Sequence, residues 1–484
     1  MEYDLNKRNL FYIGSSIFIV ISVVLWMLSL AESKDEAWKK LFSKMDLWLV
    51  VLLATWVIGV FTCGDRASAI GGDVYRYIGF VYLGLGIAGM WIISRYAQWT
   101  VWLSRVFEAV GCIIFIWQIM NCYYIDPLNW TFDGQYHHLM SSLANLNQNA
   151  CFDAMFLAVG MTMFLFAKKR EDQIGFGIFI LLGYMGGIAC ISSTFFMGLA
   201  AVYAGMLFYV LRHPQYLWKF WMEVAMFVVA IVLHKMIYGA VADDRIVLES
   251  LTLILFDVRV ILALVAILAV AAVLIWKAGK FFEKTGVVLS WIFLGLVGAV
   301  IVLFIACVVY ANTGHVNPED GGLLSRLVIN DWTGNARGVI WRVTFGMFGQ
   351  ESLFQKIFGV GLNNYSTEVY KYYAADVNAI FGEASVLADA HNVFLDMLIS
   401  SGIIGAVSFM GISVHILVKA IKMAKRQPVV LAAILGILAW MAVGLLNANL
   451  NVATQVYFGM LGVFWALIRK LETCEETKDI IGLV

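Results

Sequence analysis

Apolar runs of about 20 residues recur along this chain, and no other feature constrains its fold as much, because a bilayer core takes roughly 20 apolar residues per helix. Thirteen such runs stand out: 11–30, 47–63, 77–93, 106–123, 151–167, 174–191, 194–210, 220–237, 260–276, 287–311, 393–418, 429–446 and 456–468. They predict an all-α, polytopic membrane helical bundle of about 12–13 transmembrane helices. The runs use more than half of the 484 residues, so a single membrane domain, 1–484, is expected. Within it, 312–392 is expected to form one long extracytoplasmic loop, and 393–484 the last three transmembrane helices with a short cytoplasmic tail. The four prolines, Pro127, Pro214, Pro318 and Pro428, fall in polar stretches between runs, as continuous helices require. The first run is longer than a signal-peptide core and no clear cleavage site follows it, so it is expected to remain as a helix.

Composition excludes other classes. Hydrophobic residues make up 62% of the chain, far above the soluble range. The 33 basic residues are balanced by 33 acidic ones, and no polybasic run is present, so nucleic acid is not a partner. The seven cysteines are odd in number and show no CxxC spacing, which fits small core residues better than a zinc site or disulfide frame. Asp153, Glu108 and Glu223 lie near predicted helix ends and read as interfacial.

Orientation follows from lysine and arginine, which resist translocation. Lys419, Lys422, Lys425 and Arg426 follow the eleventh run. Alternating back from them puts Lys168, Lys169, Arg170, Arg212, Lys219, Lys277, Lys280 and Lys284 on the same, cytoplasmic side. The 312–392 segment then lies outside. It is net acidic and rich in aromatics, among them Trp332, Trp341, Phe345, Tyr365 and Tyr370, too many for a solvated tail. Long connections in compact proteins tend to carry function. This one is expected to fold onto the membrane as short helices.

The stretch Asp389-Ala390-His391-Asn392 opens a membrane-entering helix, and Gly402 and Gly405 follow within it. One reading is a capped helix with a solvated histidine. The other is that His391, whose ordinary pKa is about 6.5, is a general acid or base, with Asp389 fixing its tautomer. Upstream stand Gly334-Asn335-Ala336-Arg337, then Trp341-Arg342, and then Gly359-Val360-Gly361 with Asn363-Asn364-Tyr365. No strand precedes the two glycines, so they read as a turn and not as a nucleotide loop.

In order and spacing, the stretch from Arg337 to Val414 resembles the O-antigen ligase and O-antigen polymerase family. That family shows an arginine before an aromatic-rich helix, a Gly-x-Gly turn, and a His-Asn pair leading into a glycine-spaced helix. Asn147-Gln148-Asn149 is similar to its Asn-Pro-Asn motif without the proline. Its external Ser-Arg-Gly has two counterparts here, Ser193-Thr194-Phe195 and Asp257-Val258-Arg259. Arg259 has the arginine and the correct two-helix offset, and it reads equally as an anchor at the membrane boundary.

The resemblance implies a membrane glycosyltransferase of surface polysaccharide biosynthesis, multi-pass in the bacterial plasma (inner) membrane. Its donor would be a glycan on a polyprenyl diphosphate, at the external face. The acceptor would be a hydroxyl of a glycan, lipid or protein, and membrane lipids would surround the bundle. His391 and Arg337 are the catalytic candidates. Arg259, Asn392, Trp341 and Arg342 are candidates for binding the lipid diphosphate or glycan. Fixed arginines stabilise a leaving diphosphate without a cation, so neither metal nor cofactor is expected. No Asp-x-Asp occurs, and Asp243-Asp244 is the nearest approach to a cation site. The alternative class is a polysaccharide flippase or transporter, which would show inverted repeats and ionisable residues near the midplane.

Overall fold

The computed structural model describes residues 2–32, 43–72, 78–126, 141–143, 145–241, 246–447 and 451–473. Asp243 and Asp244 lie outside the described residues, as do Pro127 and Cys474. In chain order the helices are α1 (Glu2–Glu32), α2 (Lys44–Thr62), α3 (Arg66–Gly71), α4 (Phe80–Tyr96), α5 (Val101–Cys122) and α6 (Leu146–Phe166). Next come α7 (Arg170–Ala189), α8 (Ser193–Arg212), α9 (Leu217–Val241), α10 (Ser250–Leu255), α11 (Val258–Lys277) and α12 (Gly279–Tyr310). Last are α13 (Thr333–Gln350), α14 (Leu353–Phe358), α15 (Tyr365–Phe381), α16 (Val393–Met423), α17 (Leu431–Gly444) and α18 (Asn451–Thr473). Among the described residues there is no strand. The protein is an all-α polytopic membrane bundle. Eleven helices are long and apolar enough to cross a membrane, and α4 and α17 are shorter apolar helices. Together they account for every apolar run of the sequence. Pro214, Pro318 and Pro428 each open a short 3-10 turn between helices, where a missing N–H costs nothing.

The bundle is organised around α6, whose residues are buried almost throughout. A helix apolar on all faces can be satisfied only by surrounding it. Here α7, α8 and α17 do so. The Phe179 ring wedges between α5 and α6 at Gly111 and Gly160, where an added Cβ would come within 2.4 Å of it. By contrast α11 has no fully buried residue and α12 only Gly286 and Ser290, and their outer faces, Leu262, Leu296, Val300 and Phe304 among them, are exposed, as lipid-facing helices require.

Polar contacts tie the two ends of the bundle separately. At one end Arg95 of α4 meets Asp46 of α2 at 2.5 Å, Arg105 of α5 meets Asp172 of α7 at 2.5 Å, and Lys419 of α16 meets Glu472 of α18 at 2.5 Å. The other end carries the 312–392 connection, whose helices α13, α14 and α15 form a roof. The roof has its own small core of Val339, Ile340, Val343, Met347, Val369 and Val377.

Two acids differ from their interfacial reading. Asp153 and Glu223 are fully buried, well inside α6 and α9. Helix-end position in sequence did not register how completely the neighbouring helices close over them. The Gln118 amide donates to Asp153 at 3.0 Å. Glu108 pairs with Arg105 at 2.7 Å.

Candidate functional site

The roof is seated by a break in α16. Gly402 has φ +65°, which interrupts the helical ladder and frees the carbonyls of Ile399 and Ser400. The Gly-x-Gly turn fills that gap. Val360 N–H donates to Ile399 O at 2.9 Å and Gly361 N–H to Ser400 O at 3.1 Å. Both turn glycines have positive φ, and a Cβ on Gly361 would lie 2.6 Å from the Cys63 side chain. Asn364 completes the seat by accepting from Asp65 N–H at 2.9 Å and donating to Asp65 O at 3.1 Å.

Arg337 is placed by a left-handed turn at Gly334, Asn335 and Ala336, with φ of 63°, 59° and 63°. Its Nε donates to Leu446 O at 2.9 Å and its Nη1 to Gly334 O at 2.6 Å. Leu446 lies just past the end of α17, where helix carbonyls lack intrahelical partners and attract cations. Burial pulls the Arg337 pKa below its ordinary value, opposed by the charge of Asp389. An arginine stays charged through such a shift.

His391 has φ +48°, a conformation rare for a residue with a side chain. Asp389 holds it there. One carboxylate oxygen, Oδ1, accepts the His391 backbone N–H at 2.9 Å and lies 2.5 Å from the ring Nδ1. That contact joins Asp389 to the ring through Nδ1, so Nε2 is the ring nitrogen left to meet a substrate. The His391 side chain is 32% exposed, so it is both positioned and reachable. Trp341 Nε1–H donates to Ala390 O at 3.1 Å, and Asp396 accepts the Ala390 N–H at 2.7 Å. Asn392 caps α16 by accepting from Phe394 and Leu395, and its amide donates to Leu445 O at 2.9 Å.

The structure therefore brings Arg337, Trp341, His391 and Asn392 together around the end of α17. It does not bring Arg342 or Arg259 to them. The Arg342 guanidinium pairs with Asp331 at 3.0 Å and Asp376 at 2.9 Å, which raise its pKa and tie it into the roof. Arg259 is exposed at the start of α11, a helix packed on α9 and α12, and Asp257 accepts its backbone N–H at 2.8 Å. That geometry matches the anchor reading.

The Asn147-Gln148-Asn149 motif supports the same end of the bundle. Gln148 accepts from the N–H groups of Val452, at 2.9 Å, and Ala453 at the start of α18. Asn147 accepts from Ser192 at 3.0 Å, and Asn447 donates to Thr194 at 3.1 Å. Ser193-Thr194-Phe195 is thus a packing element. Sequence reasoning missed Asp396 and Asn363. An acid four residues after the cap Asn392 was a signal for the first. For Asn363, whose φ is +57°, the signal was an Asn-Asn pair after a Gly-x-Gly turn.

The O-antigen ligase family model matches residues 246–410, a stretch that runs from before α10 into α16 and includes Arg259, Arg337 and His391. That match supports the family resemblance drawn from the motifs. It implies a glycan-transfer enzyme of surface polysaccharide biosynthesis, acting on glycan and lipid substrates. No curated protein matches the chain.

Proposed function

From a polytopic bundle whose roof carries the O-antigen ligase match, we propose a transferase that moves a glycan from a polyprenyl diphosphate to an acceptor hydroxyl at the external face of the bacterial inner membrane. The observation that carries this reading is the convergence of a half-buried Arg337 and an Asp389–His391 pair on the end of α17. Nε2 of His391 takes the proton of the acceptor hydroxyl as its oxygen bonds to the anomeric carbon. The bond from that carbon to the diphosphate oxygen breaks, and its electron pair leaves on the diphosphate. Arg337 stabilises the growing charge through the N–H groups not used on Leu446 and Gly334. Asp389 keeps the ring in the tautomer the step requires and stabilises the imidazolium that forms. Trp341, Asn392 and Asp396 hold the backbone around His391. Arg342 serves the site as a roof clamp.

A transporter would draw on the buried Asp153 and Glu223. Both acids lie outside the matched region, and neither contacts the Arg337–His391 cluster through a hydrogen bond.

The test is His391→Asn. Asparagine tolerates a left-handed backbone, so the variant keeps the φ of +48° while losing the imidazole. Insertion and thermal stability are expected to be unchanged, and transfer from a lipid-diphosphate glycan to fall by about 10²- to 10⁴-fold. Undiminished transfer by a well-folded variant would remove His391 from the chemistry. Deleting the protein and measuring surface glycan length separates two acceptors. Single repeats left on the acceptor mark a polymerase, and polymer stranded on the carrier lipid marks a ligase.

A further inference from the structure

At the end of the bundle opposite the roof, a recess opens where α5 and α7 begin, lined by Trp99, Ser104, Arg105, Lys169, Glu171 and Phe176 among others. Exposed aromatics at this end, Tyr96, Trp102, Trp218 and Trp276, mark the depth of the lipid headgroups. Lys169 stands at the cap position of α7, but its side chain makes no cap hydrogen bond, so the N–H groups of the first turn lack that partner. Ser104 is the second feature. It is 8% exposed, and its hydroxyl has no partner among the described residues, whereas Ser290, Ser400 and Ser408 donate back to carbonyls of their own helices. The positive-inside rule accounts for the exposed Lys168, Lys169 and Arg170 at this end, but not for a partnerless hydroxyl lining the same recess as an uncapped helix start.

We propose that this recess binds the phosphodiester of an anionic phospholipid from the leaflet on that side, with an acyl chain in the apolar cavity beside it. The site lies at the far end of the bundle from Arg337 and His391 and does not depend on the transferase reading. A phosphate suits an uncapped helix start, because aligned peptide dipoles and free N–H groups attract anions. Ser104 donates its hydroxyl, and Lys169 brings charge, with Lys168 and Arg170 next to it in the chain. Arg105 is drawn off by Glu108 at 2.7 Å and Asp172 at 2.5 Å, so it builds the wall. Across the cluster Lys168, Lys169, Arg170 and Arg105 outnumber Glu108, Glu171 and Asp172, and the excess favours an anionic headgroup over a zwitterionic one. The source is a lipid, because an apolar cavity shares Trp99 and Met163 with the recess and runs on between α6, α17 and α18, along Val159, Ala432, Phe464 and Leu467. A soluble phosphate ester would leave that wall unused.

The experiment presents the full-length protein, in detergent, with equal amounts of phosphatidylglycerol, phosphatidylethanolamine and phosphatidylcholine, and reads retained lipid by native mass spectrometry. Phosphatidylglycerol is expected to be retained over the other two. Lys169→Gln and Ser104→Ala should each lower that retention about fivefold, the factor one surface charge or one hydrogen bond contributes. Both changes suit a helix start or interior, so the protein should fold. Lys280→Gln, at the same end but on α12, which packs on α8 and α11, should retain the lipid as wild type does. Soluble glycerophosphoglycerol in excess should leave phosphatidylglycerol bound. The inference is overturned if the three lipids are retained alike, or if Lys169→Gln and Ser104→Ala retain as much as wild type. It is overturned equally if Lys280→Gln loses as much as they do, which marks a diffuse lipid annulus, or if glycerophosphoglycerol displaces the lipid, which marks a soluble ligand.

Discussion

Replacing Arg337 with lysine separates charge from geometry. A guanidinium has five N–H groups. Nε spends one on Leu446 O and Nη1 spends one on Gly334 O, so three remain for the leaving diphosphate. Lysine offers three donors on a single nitrogen and cannot reach two carbonyls and a diphosphate at once. Losing one charge-assisted contact in the transition state costs about 1.5–3 kcal/mol, which is roughly 10- to 150-fold in rate. Each anchoring carbonyl left unpaired costs stability of about 1 kcal/mol, so the variant should still fold. The assay is single-turnover transfer in proteoliposomes with saturating lipid-diphosphate glycan, which reads chemistry apart from binding. Arg342→Lys is the control, because its exposed pairs with Asp331 and Asp376 contribute at most about 1 kcal/mol to stability and touch no substrate. Arg337→Lys turning over at the wild-type rate, or Arg342→Lys losing as much, would refute the assignment.

Three further outcomes follow from the same geometry. Burial, and then the charge of Glu368, push Glu351 up to about 7 from an ordinary 4.5, with Lys356 opposing. The folded state therefore keeps a proton that the unfolded chain releases, and roof stability is lost as pH rises from about 4.5 through about 7. Wild type should melt lower at pH 8 than at pH 5, Glu351→Gln should flatten that difference, and matching profiles would contradict it. In a cysteine-free background, Glu319→Cys in the roof segment and Lys425→Cys at the opposite end should differ in labelling by an impermeant thiol reagent, and equal labelling would overturn the orientation argued from charge. Transfer should persist in excess chelator because Arg337 carries the diphosphate, and activity restored only by magnesium would turn attention to Asp243 and Asp244.

Every membrane-crossing element was legible in the sequence, because burial in lipid demands a long apolar run whatever its neighbours are. The Gly359-Val360-Gly361 turn and the Asn392 cap were legible for a similarly local reason: a positive φ calls for glycine, and an orphan helix N–H calls for a short polar side chain. The choice between Arg337 and Arg342 was not. They stand five residues apart on one helix, and only the packing of α13 against α15 and α16 directs one to Leu446, just past α17, and the other to Asp331 and Asp376. Asp153 and Glu223 were misplaced because sequence gives depth along a helix but not the face its neighbours cover. The left-handed backbone of His391 likewise has no sequence signature of its own. Asp389 holds it locally, while the stretch around it is seated by the turn wedged into the break at Gly402, a contact between segments that only the tertiary fold brings together.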